Sequence, residues 1–473
     1  MKRNKLKTLL LVGCLLTMTC AAIVYASKGS QLSLWPAPAN PVKNGVVTLS
    51  GNLTQTKVLY GGDGTVALSL TMVADEIFDP DSEAARQVDM VIVLDRSGSM
   101  RGAKIQAARG AALNLLSNLS PRDRFGLVTY SDTVRRHADL VTVTQASRKR
   151  LESIITGIST GGATNLGAGL REGINVLLTA PTNGNARKVI LISDGLANRG
   201  ITDPISLGNM ASISVEKELA VSTVGVGTDF NENLMTRIAD RGAGNYYYLA
   251  NPSAFAEVFQ KEFHHTRAAV ATSVEVRIPV ESGISVADAS GYPIQIKNKQ
   301  AIIHPGDLLS GQTRKLFLNL TLPTTEEQNF EITGINAHYL HEGQRYTVTL
   351  GERFQIACVK DRDEVLGSID KNEWKEKVLK DDFNRLREEV AADIKTGKKK
   401  QALKRIDRYY GEQQSVNSVV GSSEVAASLE SELDDLRETV NNTFKGRPQE
   451  VEVKQKKNSK ALQYEGYWGR RFR

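Results

Sequence analysis

Five oxygen-bearing side chains stand at or just beyond the ends of apolar or glycine-rich runs in this 473-residue chain. Asp95, Ser97 and Ser99 close VIVLDRSGSM, Thr164 lies within STGGATNLGAGL, and Asp194 follows the apolar run of RKVILISD. Carboxylate and hydroxyl oxygens are the ligands a hard divalent cation prefers. Mg2+ takes about six oxygens at roughly 2.0–2.1 Å and gives up its waters reluctantly, so three hydroxyls and two carboxylates, some acting through water, match its demand. Glycines 98, 161 and 162 would let the loops approach an ion closely. Single residues also have a plainer account: Asp95 can cap a helix, and Ser97 and Ser99 can satisfy turn amides. That account leaves unexplained why Thr164 and Asp194, 65 and 95 residues beyond Ser99, stand in equivalent places. A hydrolytic reading of Ser97 and Ser99 has no assigned base. The expectation is therefore a metal site and no enzyme.

Placing these residues together requires a scaffold. From 86 to 267 short apolar runs (VDMVIVLD, FGLVTY, RKVILISD, LAVSTVGVG) alternate with amphipathic stretches of helical spacing. Strands alternating with helices predict a doubly wound, mostly parallel α/β sheet. Ligands of such sheets bind at the carboxyl ends of the strands, where Asp95, Ser97, Ser99 and Asp194 fall. On either side the periodicity changes to two, as in TVALSLTMV, SVEVRIPV, KLFLNLTL and RYTVTLGERFQIACV, which predicts half-buried antiparallel strands. Residues 27–85 are too few for a sandwich; joined to 268–358 they suffice. The predicted architecture is an α/β unit at 86–267 inserted in a split β-sandwich, followed by a helical region at 359–444 and a basic, aromatic tail at 445–473.

The motifs DRSGS, GGATN and ISDG, in that order and on those strand ends, resemble the metal-ion-dependent adhesion site of von Willebrand factor type A domains. The resemblance implies that Ser97, Ser99 and Thr164 touch the metal directly and that Asp95 and Asp194 act through water. It implies Mg2+, or Ca2+ or Mn2+ in its place, with the remaining position filled by an aspartate or glutamate carboxylate of a protein partner. The flanking strands make the whole chain similar to bacterial exported type A proteins related to inter-alpha-trypsin inhibitor heavy chains, and to proteins described as calcium-activated chloride channel homologues. The second likeness implies an alternative role as a regulatory subunit of a membrane complex. One apolar segment cannot form a pore.

Charge and cysteine usage narrow the rest. The formal charge of +7 is concentrated at the ends: residues 1–26 hold four Lys or Arg and no acid, and 445–473 hold nine against three glutamates, leaving 27–444 at −3. A nucleic-acid partner is not expected of such a body. MKRNKLK followed by a 19-residue apolar run reads as an export signal cut after Ala26, or as an N-terminal membrane anchor through residues 8–26. Cys14 also fits a lipoprotein pattern. Each reading places the body outside the cytoplasm, in the periplasm, at the cell surface or on a membrane. Beyond the signal only Cys358 remains, in a strand-like stretch where a small buried hydrophobe is expected. Asp229, Asn231 and Glu232 could hold a second ion but read more simply as a helix opening. In the tail, Tyr464, Tyr467, Trp468 and Phe472 alternate with Arg470, Arg471 and Arg473, a mixture suited to a membrane surface or a partner, or to a loose chain end.

Overall fold

In a computed structural model that describes residues 40–77, 86–182 and 184–472, strand Val88–Asp95 lies at the centre of a six-stranded sheet. Its parallel neighbours are Arg124–Tyr130 on one side and Ala186–Ser193 on the other. Leu219–Val226 and Ala243–Leu249 continue the parallel sheet beyond Ala186–Ser193, and Val134–Thr142 closes the opposite edge antiparallel. The chain leaves the central strand toward one side and later returns on the other. The topological switch point therefore falls between Asp95 and Asp194.

Every residue of Val88–Asp95 is buried because helices cover both faces. Met90, Ile92 and Leu94 pack with Ile105 and Leu115 of helix Ala103–Asn118 and with Phe255, Phe259 and Phe263 of helix Phe255–Ala268. Val91 and Val93 point the other way, toward Leu170 and Leu177 of helix Leu166–Thr179 and toward Leu207, Leu234 and Ile238. Helix starts are written locally. The Thr144 and Asn165 side chains accept from Ser147 N and Ala168 N, and Asp203 caps the helix whose first residue is Pro204.

The flanking strands join across this unit. Thr65–Ala74 pairs antiparallel with Thr313–Thr321 over nine residues, from Thr65↔Thr321 to Val73↔Thr313. Lys57–Leu59 runs parallel to Phe354–Val359. A second sheet, built on Ala269–Pro279 and Asn336–His341, shares one core with the first: Leu68, Leu70 and Met72 meet Leu318, Val276, Ile278 and Ala337. Cys358 is a buried free thiol within that core. The split sandwich and the inserted α/β unit are thus as the periodicities require. The segment 1–26, with its signal or anchor, lies outside the described residues, and among the described residues no helix is long and apolar enough to cross a membrane.

The C-terminal part differs from the sequence reading. Helices Phe383–Lys395, Lys399–Val420 and Ser423–Thr443 form the expected helical region, but residues 445–472 are no loose or membrane-facing tail. Pro448–Phe472 is a helix packed along Phe383–Lys395 and against the α/β unit. Charge pairing is the physical reason. Arg470 Nε donates to Asp381 Oδ1 at 2.9 Å, and the same guanidinium binds Asp288 and Glu388. Arg471 donates to Asp240 Oδ1 at 2.6 Å. Tyr467 is buried against Tyr246, and Trp468 Nε1 donates to Tyr246 O at 3.0 Å. Arg470 and Arg471, which could have met a membrane or a nucleic acid, are consumed inside the molecule. Glu232 is likewise a structural residue and no part of a second ion site: Lys460 binds its Oε2 at 2.6 Å and Lys395 its other oxygen, while Asn231 caps the helix.

Candidate metal site

Three loops meet above the carboxyl end of Val88–Asp95. The first carries Asp95, Ser97 and Ser99 into a short 3-10 turn, Gly98–Met100. The second, at 161–164, is stitched to it: Gly98 N donates to Gly162 O at 3.1 Å, and Gly161 N donates to Arg96 O at 2.8 Å. Gly162 has φ +86°, and a Cβ there would run into the Asp132 carboxylate, so this position requires glycine. The third loop begins at Asp194. Thr164 N donates to Asn198 Oδ1 at 2.9 Å and Asn198 N returns a bond to Thr164 O at 3.2 Å, which fixes the threonine relative to Asp194.

All five expected residues are brought together. Ser97 Oγ lies 3.0 Å from Ser99 Oγ, and Ser99 Oγ donates to Asp194 Oδ1 at 2.7 Å. Asp95 accepts from Ser97 N at 2.8 Å through Oδ1 and from Ser193 Oγ at 3.0 Å through Oδ2. A Cβ placed on Gly195 would stand 3.4 Å from Ser99 Oγ and 3.7 Å from Thr164 Oγ1, so these two hydroxyls flank the same small space. Asp95, Ser97, Thr164 and Asp194 are buried, whereas Ser99 faces solvent.

The electrostatics favour a cation. Both carboxylates are fully buried, which is costly for charge unless it is paired. Burial pushes the Asp95 carboxyl up to about 6; its bonds from Ser97 lower it only in part, and neighbouring Asp194 raises it further. The ammonium of Lys104, 2.5 Å from Asp194 Oδ2, supplies the positive charge on the other carboxylate. It stands in for the kind of charge a metal ion would bring. Three hydroxyls and two buried carboxylates on one cradle fit a hard divalent ion. Among the described residues no three His, Cys, Asp or Glu side chains form a group that could hold a metal ion, so an ion at this site depends on the serine and threonine hydroxyls as well as on the two carboxylates.

Lys104, Ser193 and Asn198 are the members sequence reading missed. Lys104 sits five residues beyond Ser99 in the first turn of a helix, and only geometry turns it toward Asp194. Ser193 carried a faint signal, as a polar residue ending an apolar strand. On the loops that follow Ser99 and Asp194, Arg101, Leu196 and Ile201 are exposed, and Arg199 pairs with Asp132 at 2.9 Å on the surface.

Comparison with known proteins gives this geometry a context. The von Willebrand factor type A domain profile matches residues 89–261. Among curated relatives, the uncharacterized protein YfbK of Escherichia coli (strain K12) is 30% identical over 202 residues, covering 42% of this chain and 35% of that protein. Inter-alpha-trypsin inhibitor heavy chain H1 of Mesocricetus auratus is 26% identical over 215 residues, covering 44% of this chain and 24% of that protein. The chain thus spans about a third and about a quarter of these two relatives' lengths. A solved von Willebrand factor type A protein from Catenulispora acidiphila superposes with a TM-score of 0.65 at 17% identity, over 91% of this chain and 98% of that one, so the fold is shared beyond the α/β unit. Residues 89–261 thus match the von Willebrand factor type A domain family and have its fold, here with flanking β-sheets and a C-terminal helical region.

Proposed function

We propose that this chain is a binding protein whose type A domain holds a divalent cation, Mg2+ or in its place Ca2+ or Mn2+, and through that ion a carboxylate of a protein partner. The observation that carries the reading is the convergence of Ser97, Ser99, Thr164, Asp95 and Asp194 from three loops at the switch point of the sheet. Ser97, Ser99 and Thr164 would contact the ion, and the two aspartates would act behind water. A site whose direct ligands are neutral hydroxyls leaves the ion much of its charge. An anionic oxygen is then the fitting outside ligand, because charge-assisted contacts are about twice as strong as neutral ones. The exposed apolar residues Leu196 and Ile201, on the loop that follows Asp194, suit a partner acid flanked by apolar side chains. Binding is favoured over hydrolysis because the partners of Ser97 and Ser99 are each other and an aspartate already paired with Lys104. The export-signal pattern of residues 1–26 supports a partner outside the cytoplasm.

The test is a cross-linking pull-down of extracellular and cell-surface proteins by the full chain, with Mg2+ or with chelator. Capture should require Mg2+ or Mn2+, should fail after the captured proteins' carboxylates are amidated, and should fail for Thr164→Ala even where circular dichroism shows the fold intact. Undiminished capture in chelator, or by Thr164→Ala, would move the docking surface away from this site.

A further inference from the structure

Lys104 has a position that the metal-binding reading does not use. It rises from the first turn of helix Ala103–Asn118, which begins without a side-chain cap and without an acidic residue in that turn. Its ammonium contacts Asp194 Oδ2 at 2.5 Å while Ser99 Oγ occupies Asp194 Oδ1 at 2.7 Å. The side chain is 26% exposed and Asp194 is 0% exposed, so lysine approaches the buried carboxylate from the open side. A Cβ on Gly227 would stand 3.6 Å from the ammonium, which puts that backbone loop on its other flank. Asp95 and Asp194 together carry two negative charges, and Lys104 neutralises one of them.

From this arrangement we infer that Lys104 is the resident cation of the site. It holds Asp194 in place in the absence of metal, and a divalent ion enters against it, so that Lys104 sets the Mg2+ concentration at which the site loads. The inference rests on the metal-dependent reading above. Two charges of the same sign serving one carboxylate oppose each other. The site is thereby pre-formed without metal, and its loading becomes a response to cation concentration. A purely structural lysine has the opposite consequence: if Lys104 only positioned Asp194, its removal would loosen that carboxylate and weaken metal binding. The sign of the change separates the two.

The experiment is calorimetric titration of the full chain with Mg2+, and in parallel with Mn2+, at constant ionic strength. Wild type, Lys104→Gln, Lys104→Arg and Asp95→Ala are compared. Lys104→Gln should bind Mg2+ about tenfold more tightly, the lower end of what one neighbouring charge does to an ionic equilibrium at a partly exposed site. Lys104→Arg keeps the charge and should stay close to wild type. Without metal Lys104→Gln should melt at a lower temperature than wild type, because Asp194 is left buried and unpaired, and Mg2+ should restore it. Should the Gln variant fold only with metal, chelator competition starting from Mn2+-loaded protein gives the same affinity. Mg2+ binding by Lys104→Gln that is equal to or weaker than wild type overturns the inference while leaving the metal site standing. Wild-type protein that takes up no Mg2+, or Asp95→Ala that takes it up as well as wild type, overturns the metal-dependent reading itself.

Discussion

Replacing Asp95 by asparagine should stabilise the metal-free protein at neutral pH and abolish its response to Mg2+. Asp95 Oδ1 accepts from Ser97 N and Oδ2 accepts from Ser193 Oγ. Asparagine keeps the first bond through its carbonyl and replaces the second by donating its amide to the serine hydroxyl, so the shape is preserved and only the charge is lost. Burial raises the Asp95 carboxyl from an ordinary 3.8 to about 6. A carboxylate with a raised folded-state pKa favours folding below its unfolded value, and that contribution disappears as pH climbs through the folded one. At about 1.4 kcal/mol per unit, ionising Asp95 costs the folded state about 3 kcal/mol. The assay is urea unfolding of wild type and Asp95→Asn in chelator from about pH 4 to about pH 7.5. The two should be alike near pH 4, and the asparagine variant should gain up to about 3 kcal/mol by neutral pH. Mg2+ at 100 times its dissociation constant should return about 2.7 kcal/mol to wild type and nothing to the variant. A difference between the two proteins that does not change with pH, or an asparagine variant less stable than wild type at neutral pH in chelator, would refute the electrostatic account of the site.

Other perturbations address the scaffold. Arg471→Ala leaves Asp240 buried without its guanidinium and should cost about 3–5 kcal/mol in urea unfolding; a loss below about 1 kcal/mol would mean that the C-terminal helix does not lock the type A domain. Gly162→Ala forces a side chain into a positive-φ position against Asp132, so calorimetry should show weaker Mg2+ binding with the far-UV spectrum unchanged; unchanged affinity would show that the 161–164 loop does not shape the site. Deleting residues 40–74 removes the strand that covers Leu316, Leu318 and Leu320, and the isolated 268–358 segment should be unfolded by circular dichroism. A native 268–358 fragment would contradict the split sandwich.

The site was legible in the sequence to the extent that its ligands are local punctuation on buried strands. Asp95 and Asp194 each terminate an apolar run, and Thr164 directly precedes Asn165, the cap of helix Leu166–Thr179. The strand period likewise announced both the parallel sheet and the alternating sheets around it. Features that depend on distant pairing were silent. Arg471 finds Asp240, 231 residues earlier in the chain, and Arg470 finds Asp288, 182 residues earlier. A stretch such as YEGYWGRRFR gives no sign that its arginines will be neutralised inside the fold. Lys104 was silent for a related reason: nothing in KIQAARG says which way the first lysine of that helix turns, and Asp194 lies 90 residues away.

The central claim is that Ser97, Ser99 and Thr164 directly, with Asp95 and Asp194 behind them, hold one divalent ion. Anomalous diffraction from crystals of the full chain soaked in Mn2+ tests it most directly. A single anomalous peak within coordination distance of all three hydroxyl oxygens, with water between the ion and the two aspartates and absent from crystals of Asp95→Ala, is the expected result. A peak elsewhere in the molecule, or no peak between Ser99 and Thr164 at a Mn2+ concentration that shifts the melting temperature, would contradict it.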